Sequence, residues 1–392
     1  MNTARKWGLV DRERIRVGVL FGGESAEHEV SLQSAKNVVE AIDRNRYDVT
    51  LIRIDRSGCW HLDDETSLSS DAANLQRTDL SSGAHNLALA PGGGGNLITL
   101  DGGDPLLDLD VIFPVLHGPM GEDGTIQGLL RLAHIPFVGP SVLGSAIGMD
   151  KDTAKRLLRD AGVLVAPFIT VLNRELAPSW DKVKAELGAP VFVKPANMGS
   201  SVGVSKVSSD VEYQAALDEA FSFDTKVLLE FTLQGRELEC AVLGNEHPEA
   251  SIPGEVAPKH EFYSYDAKYL DAAGADLMIP ADVDSKTVER VQELSIRVFQ
   301  ILCCEGMARV DFFLTTKSSN TFSEGELIVN EINTIPGFTR ISMYPKLWAA
   351  SGIAYPDLID RLIKLAINRW ERDHSLKSAI DLPSAEDVVP DN

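Results

Sequence analysis

The chain has 392 residues, long enough for two or three domains with cores of their own, and its 44% hydrophobic and 24% charged content is that of an ordinary globular enzyme. A formal net charge of −21 argues against nucleic acid or an acidic membrane surface as a partner, because both would repel it. The four cysteines, Cys59, Cys240, Cys303 and Cys304, form no CxxC pair and have no histidine at metal-ligand spacing, which argues against zinc; adjacent Cys303 and Cys304 are expected to be buried small residues. No signal-peptide run precedes the first strand and no apolar segment reaches the roughly 18 residues of a membrane span, so the expected compartment is the cytoplasm.

Residues 1–14 are polar and read as a frayed end. Residues 15–21, IRVGVLF, predict a buried strand running into Gly22 and Gly23. The spacing of Val30, Ala35, Val38, Val39 and Ile42 predicts a helix over 30–42, with Glu27 and Glu29 near its N-terminus, where the dipole favours carboxylates. A second strand is expected over 49–54. Strand, glycine turn, helix, strand is the order of a doubly wound parallel sheet, whose ligands bind beyond the carboxyl ends of the strands. The turn, GGESAEHE, is not GxGxxG, so a dinucleotide site is not favoured. Glu27 sits where a ligand would be, although a helix start alone would account for it.

Residues 61–105, rich in Ser, Asp, Asn and Gly, are expected to be a loop-rich insertion, and the glycine run at 92–95 lacks the Lys-Ser/Thr of a phosphate cradle. An apolar strand over 109–116 ends in HGPMGEDGTIQG, which places His117 at its carboxyl end. A new unit is expected near Pro140. In MDKDTAKRLLRDAG a helix stops at Gly162, and Lys151 stands at its start, where a bound anion would account for a cation the dipole disfavours. APVFVKPANMGSSVGVSKV predicts two strands around a loop containing Gly199, Ser200, Ser201 and Gly203, with Lys194 placed to meet phosphate; without GK[ST] it is no Walker loop. Two strands over 227–244 turn at Gly235, with Glu230 and Glu237 flanking the turn as candidate partners of ribose hydroxyls and an adenine amine. Residues 255–280, with Tyr263, Tyr265, Lys268 and Tyr269, are expected to be mostly irregular and to close over the site as a lid.

Two β-rich runs, 309–314 and 326–333, alternate polar and apolar positions. Arg309, Asp311 and Phe313 share one face of the first. Val329, Glu331 and Asn333 are expected to share one face of the second, with Ile328, Asn330 and Ile332 on the other. Paired as a hairpin, Asp311, Glu331 and Asn333 converge as three oxygen donors of the kind Mg²⁺ prefers, with Arg309 beside them. Any one of these carboxylates alone would read as solvated surface. A last helix is expected over 353–367, and residues 372–392 read as a disordered tail.

Five motifs stand in order: GGESAEHEVSL, HGPMGEDGTIQG, KPANMGSSVGVSKV, EFYSYDAKY, and ARVDFFL with NEINTIPGFTRISMYP. Through them the chain resembles the D-alanine:D-alanine ligase family of ATP-grasp enzymes over roughly residues 15–370. The resemblance implies a three-domain α/β and α+β fold: an N-terminal doubly wound substrate domain (1–139), a central ATP-grasp subdomain (140–230), a C-terminal ATP-grasp and metal domain (231–372) with the lid 255–280, and a tail (373–392).

It further implies that Asp311, Glu331 and Asn333 hold two Mg²⁺ ions, with Mn²⁺ as an alternative. Lys151, Lys194 and the Ser200–Ser201 loop would meet ATP phosphates, and Glu230, Glu237, Phe313 and Asn330 would line the nucleotide site. Glu27, linked to Ser200 and Tyr269, would take the ammonium of the first D-alanine, and His117 its carboxylate region. Lys268 would reach phosphate or the second carboxylate, and Ser342 with the Met343 backbone would hold the second D-alanine. Arg309 and the Gly337 N–H would form an oxyanion hole. The implied reaction runs through D-alanyl phosphate to D-alanyl-D-alanine, for peptidoglycan precursors, in a cytoplasmic homodimer. The Lys268-Tyr269 pair favours dipeptide over D-alanyl-D-lactate. A D-alanine:D-lactate ligase, another ATP-grasp carboxylate-amine ligase and a non-catalytic nucleotide-binding module remain the alternatives.

Overall fold

In the computed structural model, which describes residues 13–65, 68, 86–100, 105–258 and 275–376, three sheets follow one another along the chain. β1 (Ile15–Gly22) leads into α1 (His28–Ala41) and returns through β2 (Tyr47–Ile54), followed by β3 (Trp60–Asp63), β4 (Asn86–Leu89), β5 (Asn96–Thr99), β6 (Pro105–Asp108) and β7 (Val111–Pro114). β1 runs parallel to both β2 and β7, as the strand–helix–strand order requires. The rest of the sheet, in the order β6-β5-β4-β3-β2-β1-β7, is antiparallel. This corrects the expected loop-rich insertion, since the described part of residues 61–105 contributes strands to the sheet. Leu87 and Leu89 of β4, two residues apart, and Leu97 of β5 are buried, so the apolar positions still face inward despite a polar composition. The glycine run is the β4–β5 turn.

α2 (Thr125–Leu132) packs Ile126 and Leu130 on this sheet, and the turn amides of Gly92 and Gly94 donate to the carbonyls of Leu132 and Ala133 at its end. α3 (Val142–Met149) and α4 (Lys151–Asp160) meet at Asp150, whose extended backbone ends one helix while its carboxylate caps the next by accepting from Thr153 N at 2.8 Å. The second sheet is built from β8 (Phe168–Val171), α5 (Trp180–Leu187), β9 (Val191–Pro195), β10 (Ser205–Val207), α6 (Asp210–Phe223) and β11 (Val227–Phe231), in strand order β10-β9-β11-β8. Val191, Val193, Val227 and Leu229 sit in the core with α5 and α6. Alternation leaves Phe192, Lys194, Leu228 and Glu230 on the opposite face.

The third sheet contains β12 (Gly235–Gly244), β13 (Glu249–Ala250), β14 (Gly254–Pro258), β15 (Ala275–Met278), then α7 (Ser285–Ile301), β16 (Gly306–Thr315) and β17 (Leu327–Asn333). Its path is β15-β14-β12-β16-β17, with β13 on β12. The ends of the expected irregular lid are therefore an antiparallel strand pair, Glu255 opposite Met278, while residues 259–274 lie outside the described set. One face of the sheet is apolar: Leu238, Cys240, Val242, Val310, Phe312 and Val329 pack with Val291 and Val298 of α7 and Leu158 of α4. The other face divides. Ala241, Leu243 and Met307 join a core with Phe338, Tyr344 and Trp348, closed by α8 (Met343–Ala350) and α9 (Tyr355–Ser375), whereas its other end is polar.

A register shift between Asp311 and Phe312 makes Asn330 an extra residue in β17. The expected sharing of a face by Val329, Glu331 and Asn333 is thereby corrected. The bulge turns Val329 into the core beside Ile332, at 0% and 6% exposure, and leaves Glu331 opposite Asp311 and Asn333 opposite Arg309. Two smaller expectations also change. Cys304 is buried but Cys303, at φ 55°, is exposed, because the turn after α7 points it outward. The expected tail begins later: α9 continues to Ser375, where the Trp370 and His374 rings stack at 3.8 Å and Arg372 pairs with Glu305 at 2.7 Å.

α9 also ties the first sheet to the third. Arg369, 5% exposed, donates to the carbonyls of Gly139 (2.5 Å) and Phe137 (2.7 Å), and Tyr47 Oη donates to Asp360 Oδ1 at 2.6 Å. No helix among the described residues is long and apolar enough to cross a membrane.

Candidate active site

Glu27 lies just before α1, beyond the carboxyl end of β1, and is 6% exposed. Its carboxylate is enclosed by two glycine loops: a Cβ at Gly118 would stand 2.7 Å from Oε2, and one at Gly199 2.9 Å. Any side chain at either position would collide with it, so the loops approach only because they carry glycine. Ser200 Oγ donates to Glu27 Oε1. Ser200 and Ser201 both have left-handed backbones, φ 50° and 61°, which cost about 1–2 kcal/mol each. Such strain is kept where a loop's shape has a use.

His117 ties three elements together at this corner. Its Nδ1 lies 3.1 Å from the Ile335 carbonyl and its Nε2 3.1 Å from Ser34 Oγ on α1. A carbonyl only accepts, so Nδ1 carries the proton and Nε2 accepts from the serine. Burial holds the imidazole below its ordinary range against the pull of Glu27, so it is neutral at pH 7. Ser34 Oγ also accepts from Phe338 N at 3.3 Å, which pins the TIPGF turn to α1. Within that turn a Cβ at Gly337 would fall 2.8 Å from Ser342 Oγ. Ser342 precedes α8 and contacts Thr339 Oγ1 at 2.7 Å, and Met343 begins the helix buried in the core.

The second sheet faces the site with a buried charge triad. Lys194 Nζ on β9 lies 2.7 Å from Glu230 Oε2 on β11, and Lys155 Nζ on α4 reaches Glu230 Oε1 at 3.2 Å. Burial alone would raise the Glu230 carboxyl, but the two lysines outweigh it and hold it below its usual range. Lys151, at the start of α4, donates to the Met198 carbonyl at 2.6 Å and lies 3.6 Å from Glu331 Oε2. One lysine thus connects the loop under Glu27 with β17.

On the polar end of the third sheet Glu239, Asp311 and Glu331 stand opposite one another on β12, β16 and β17, and Glu237 stands opposite half-buried Phe313. Arg309 Nε and Nη2 both donate to the Asp311 carboxylate at 2.7 Å. The Arg309 guanidinium is held well above its usual range, because Asp311, Glu239 and Glu331 outweigh its burial. Asn333 Oδ1 is buried with no hydrogen-bond partner among the described residues, and half-buried Asn330 forms the bulge beside it. An orphaned amide oxygen beside two carboxylates suits a hard cation, so the donor set Asp311, Glu331 and Asn333 fits Mg²⁺. No group of three His, Cys, Asp or Glu side chains arranged for a metal occurs among the described residues, so the amide is needed to complete the set.

The family model described as D-ala D-ala ligase N-terminus matches residues 16–140, and that described as D-ala D-ala ligase C-terminus matches residues 157–364. The chain belongs to the D-alanine–D-alanine ligase family. A D-alanine–D-alanine ligase of Shouchella clausii is 53% identical over 367 residues, 93% of this chain and 98% of the relative. Among solved structures, the D-alanine-D-alanine ligase from Coxiella burnetii superposes with a TM-score of 0.80 at 37% identity, covering 93% of this chain and 97% of that one. The VanG D-Ala:D-Ser ligase from Enterococcus faecalis gives 0.79 at 35% identity, covering 90% and 99%.

In this ligase-family chain the described structure brings together Glu27, His117, Lys151, Ser200 and Glu331 through the contacts above, while Lys268 and Tyr269 lie outside the described residues. Sequence reasoning missed Ser34, Glu122, Lys155 and Glu239. Lys155 and Ser34 lie on helix faces that periodicity assigns to packing. Glu122 stands inside a motif already singled out and gave no separate signal. It is 6% exposed, its Oε2 accepts from Gly118 N at 3.1 Å, and its Oε1 has no partner among the described residues. Burial, then the nearby Glu27 charge, holds this carboxyl well above its ordinary range, which favours the protonated form.

A raised folded-state value makes the favourable term complete below the unfolded pKa and lost as pH rises through the folded one. Glu122→Gln should therefore match the native chain near pH 4.5 and gain at least about 1 kcal/mol on it by pH 8. Urea titrations across that range measure the gap, and parallel stability curves would contradict a neutral Glu122.

Proposed function

We propose that this protein joins two D-alanines into D-alanyl-D-alanine, driven by ATP, through a D-alanyl phosphate. The observation that carries the reading is Lys151, which joins the loop enclosing Glu27 to Glu331 of the acidic hairpin and makes an ammonium-binding corner and a phosphate-binding hairpin parts of one site.

In this reading Lys151, Lys194 and the Ser200–Ser201 loop bind the ATP phosphates, and Glu230, Glu237, Phe313 and Asn330 surround the nucleotide. Asp311, Glu331 and Asn333 would hold Mg²⁺, two ions in all, or Mn²⁺, and the bound cation would offset phosphate charge during transfer. Glu27 receives the ammonium of the first D-alanine with Ser200 and Tyr269, and neutral His117 donates no charge to its carboxylate, which stays nucleophilic. A carboxylate oxygen attacks the γ-phosphorus, the bond between β-oxygen and γ-phosphorus breaks, and ADP leaves. Ser342 and the Met343 backbone hold the second D-alanine, with Lys268 at phosphate or at its carboxylate. Its free amine attacks the acyl carbon and forms the C–N bond; the acyl C–O bond then breaks, inorganic phosphate leaves with that oxygen and its electron pair, and the nitrogen gives up a proton. Arg309 and the Gly337 N–H stabilise the oxyanion between those events. The segment 255–280 is assigned the role of lid, which would keep water from the acyl phosphate.

The same reading divides the chain into a substrate domain (1–139), a central ATP-grasp subdomain (140–230) and a metal domain (231–372). It also makes the protein a cytoplasmic homodimer supplying peptidoglycan precursors. Purified protein given ATP, Mg²⁺ and D-alanine should release one phosphate per dipeptide, and none without D-alanine. Mass spectrometry of products formed with D-alanine and D-lactate together should give mainly dipeptide at neutral pH. Mainly depsipeptide would overturn the choice of second substrate, and no D-alanine-dependent phosphate would overturn the ligase reading.

A further inference from the structure

Three carboxylates cross the polar end of the third sheet in one row, Glu239, Asp311 and Glu331, on adjacent strands. The last two belong to the donor set for a cation, and Glu239 does not. It lies on β12, on the side of β16 away from β17, with its side chain 14% exposed and Oε2 2.8 Å from Arg309 Nε. Arg309 turns its Nε–Nη2 edge to Asp311, so Nε stands between two carboxylates, while Nη1 is engaged by no side chain among the described residues.

A bidentate arginine–carboxylate pair is complete by itself. Glu239 brings a second, partly buried carboxylate to the same Nε, a contact that the bidentate pair with Asp311 does not need. The arrangement has a use if Asp311 must also serve a cation. A metal bound at Asp311 repels the guanidinium and draws on the same lone pairs, loosening the hold on Nε and Nη2. Glu239 stands one strand further from Glu331 and Asn333, and its Oε2, 2.8 Å from Nε, is placed to accept the Nε–H that Asp311 then gives up.

We propose that Glu239 is a positioning residue for Arg309, fixing the Nε end of the guanidinium so that Nη1 stays available to the oxyanion of the acyl-transfer step. The inference rests on the ligase reading given above.

Glu239→Gln keeps the size and one acceptor oxygen and removes the charge. We expect kcat for dipeptide formation to fall about 10- to 100-fold, the cost of loosening a group by a fraction of an ångström to one ångström, with KM for ATP and for D-alanine each changed less than about threefold. Glu239→Asp, which retains the charge on a shorter stem, should recover part of the loss. Calorimetry without turnover supplies a second readout. A phosphinate dipeptide analogue, whose tetrahedral P–O⁻ stands for the oxyanion, should bind at least about 10-fold more weakly to Glu239→Gln, while ADP binds as it does to the native protein. Combined with Arg309→Lys, the loss in kcat should be less than the product of the two single losses, because both changes act on one guanidinium.

Unchanged kcat and analogue affinity would overturn the proposal. So would ADP affinity and melting temperature falling in step with kcat, or multiplicative losses in the double variant. The native protein is assayed in the same series: native protein that forms no dipeptide sinks the ligase reading, whereas native turnover with an unaffected Glu239→Gln sinks only the role of Glu239.

Discussion

Arg309→Leu should lower kcat by at least about 100-fold, the usual cost of removing one oxyanion-hole donor, and should also destabilise the fold by about 3–5 kcal/mol. Both effects follow from the same side chain. Its donors at Nε and Nη2 bond Asp311, and Glu239 lies against Nε, so leucine removes the guanidinium that both partly buried carboxylates face beside Glu331. Arg309→Lys separates the effects. An ammonium still balances charge, so most of the stability returns, but it lacks the planar fork that spans a carboxylate and leaves an N–H over. The lysine variant should therefore stay folded and remain slow. Unfolding in urea together with steady-state assays of both variants measures the two terms. A leucine variant as stable as the native chain would contradict the charge balance described for this face, and a fully active lysine variant would remove Arg309 from the chemistry.

The second large effect is expected at the buried triad. Lys155, Lys194 and Glu230, 1%, 8% and 3% exposed, carry a formal net charge of +1, and burial holds the Lys155 ammonium below its ordinary range against the pull of Glu230. Glu230→Gln raises that to +2 with no anion left, and should cost about 3–5 kcal/mol at pH 7. Lys155→Met instead lowers it to zero and preserves the 2.7 Å contact between Lys194 and Glu230, so it should cost distinctly less. The pH dependence has a definite sign. Lys155 and Lys194 hold the folded-state Glu230 carboxyl low, so its favourable term is present above the unfolded value and is lost as pH falls through the folded one. The gap between Glu230→Gln and the native chain should be widest near neutral pH and narrow below about pH 4.5. Equal losses for Glu230→Gln and Lys155→Met would mean that packing, and not charge balance, governs the triad.

Much of the architecture was legible along the chain, because periodicity survives in the residues that make it. The apolar run of β1 states a buried strand, and the helical spacing in α1 and the alternation in β16 state which side must be buried. Composition misled over residues 61–105, where Ser, Asp and Gly suggested loops while the buried Leu87 and Leu89 of β4 and Leu97 of β5 built strands of the sheet. The face of Val329 was misassigned for another reason. A bulge adds a residue to one strand only, and nothing in the sequence of β17 alone distinguishes a paired Asn330 from an extra one.

At the candidate site, the sequence by itself determined the residue types and their local order. It supplied Glu27 before a helix, glycines and serines between two strands, and Asp311 two residues after Arg309, all local features that short-range geometry decides. Only the tertiary structure decided which of them meet and what state each is in. Glu239 faces Arg309 because β12 pairs with β16, Glu230 lies between two lysines because α4 packs against the second sheet's polar face, and the Glu122 carboxyl is pushed up because burial beside Glu27 makes its charge costly. Charge balance and burial depend on neighbours far apart in the chain, and a linear pattern carries no record of those distances.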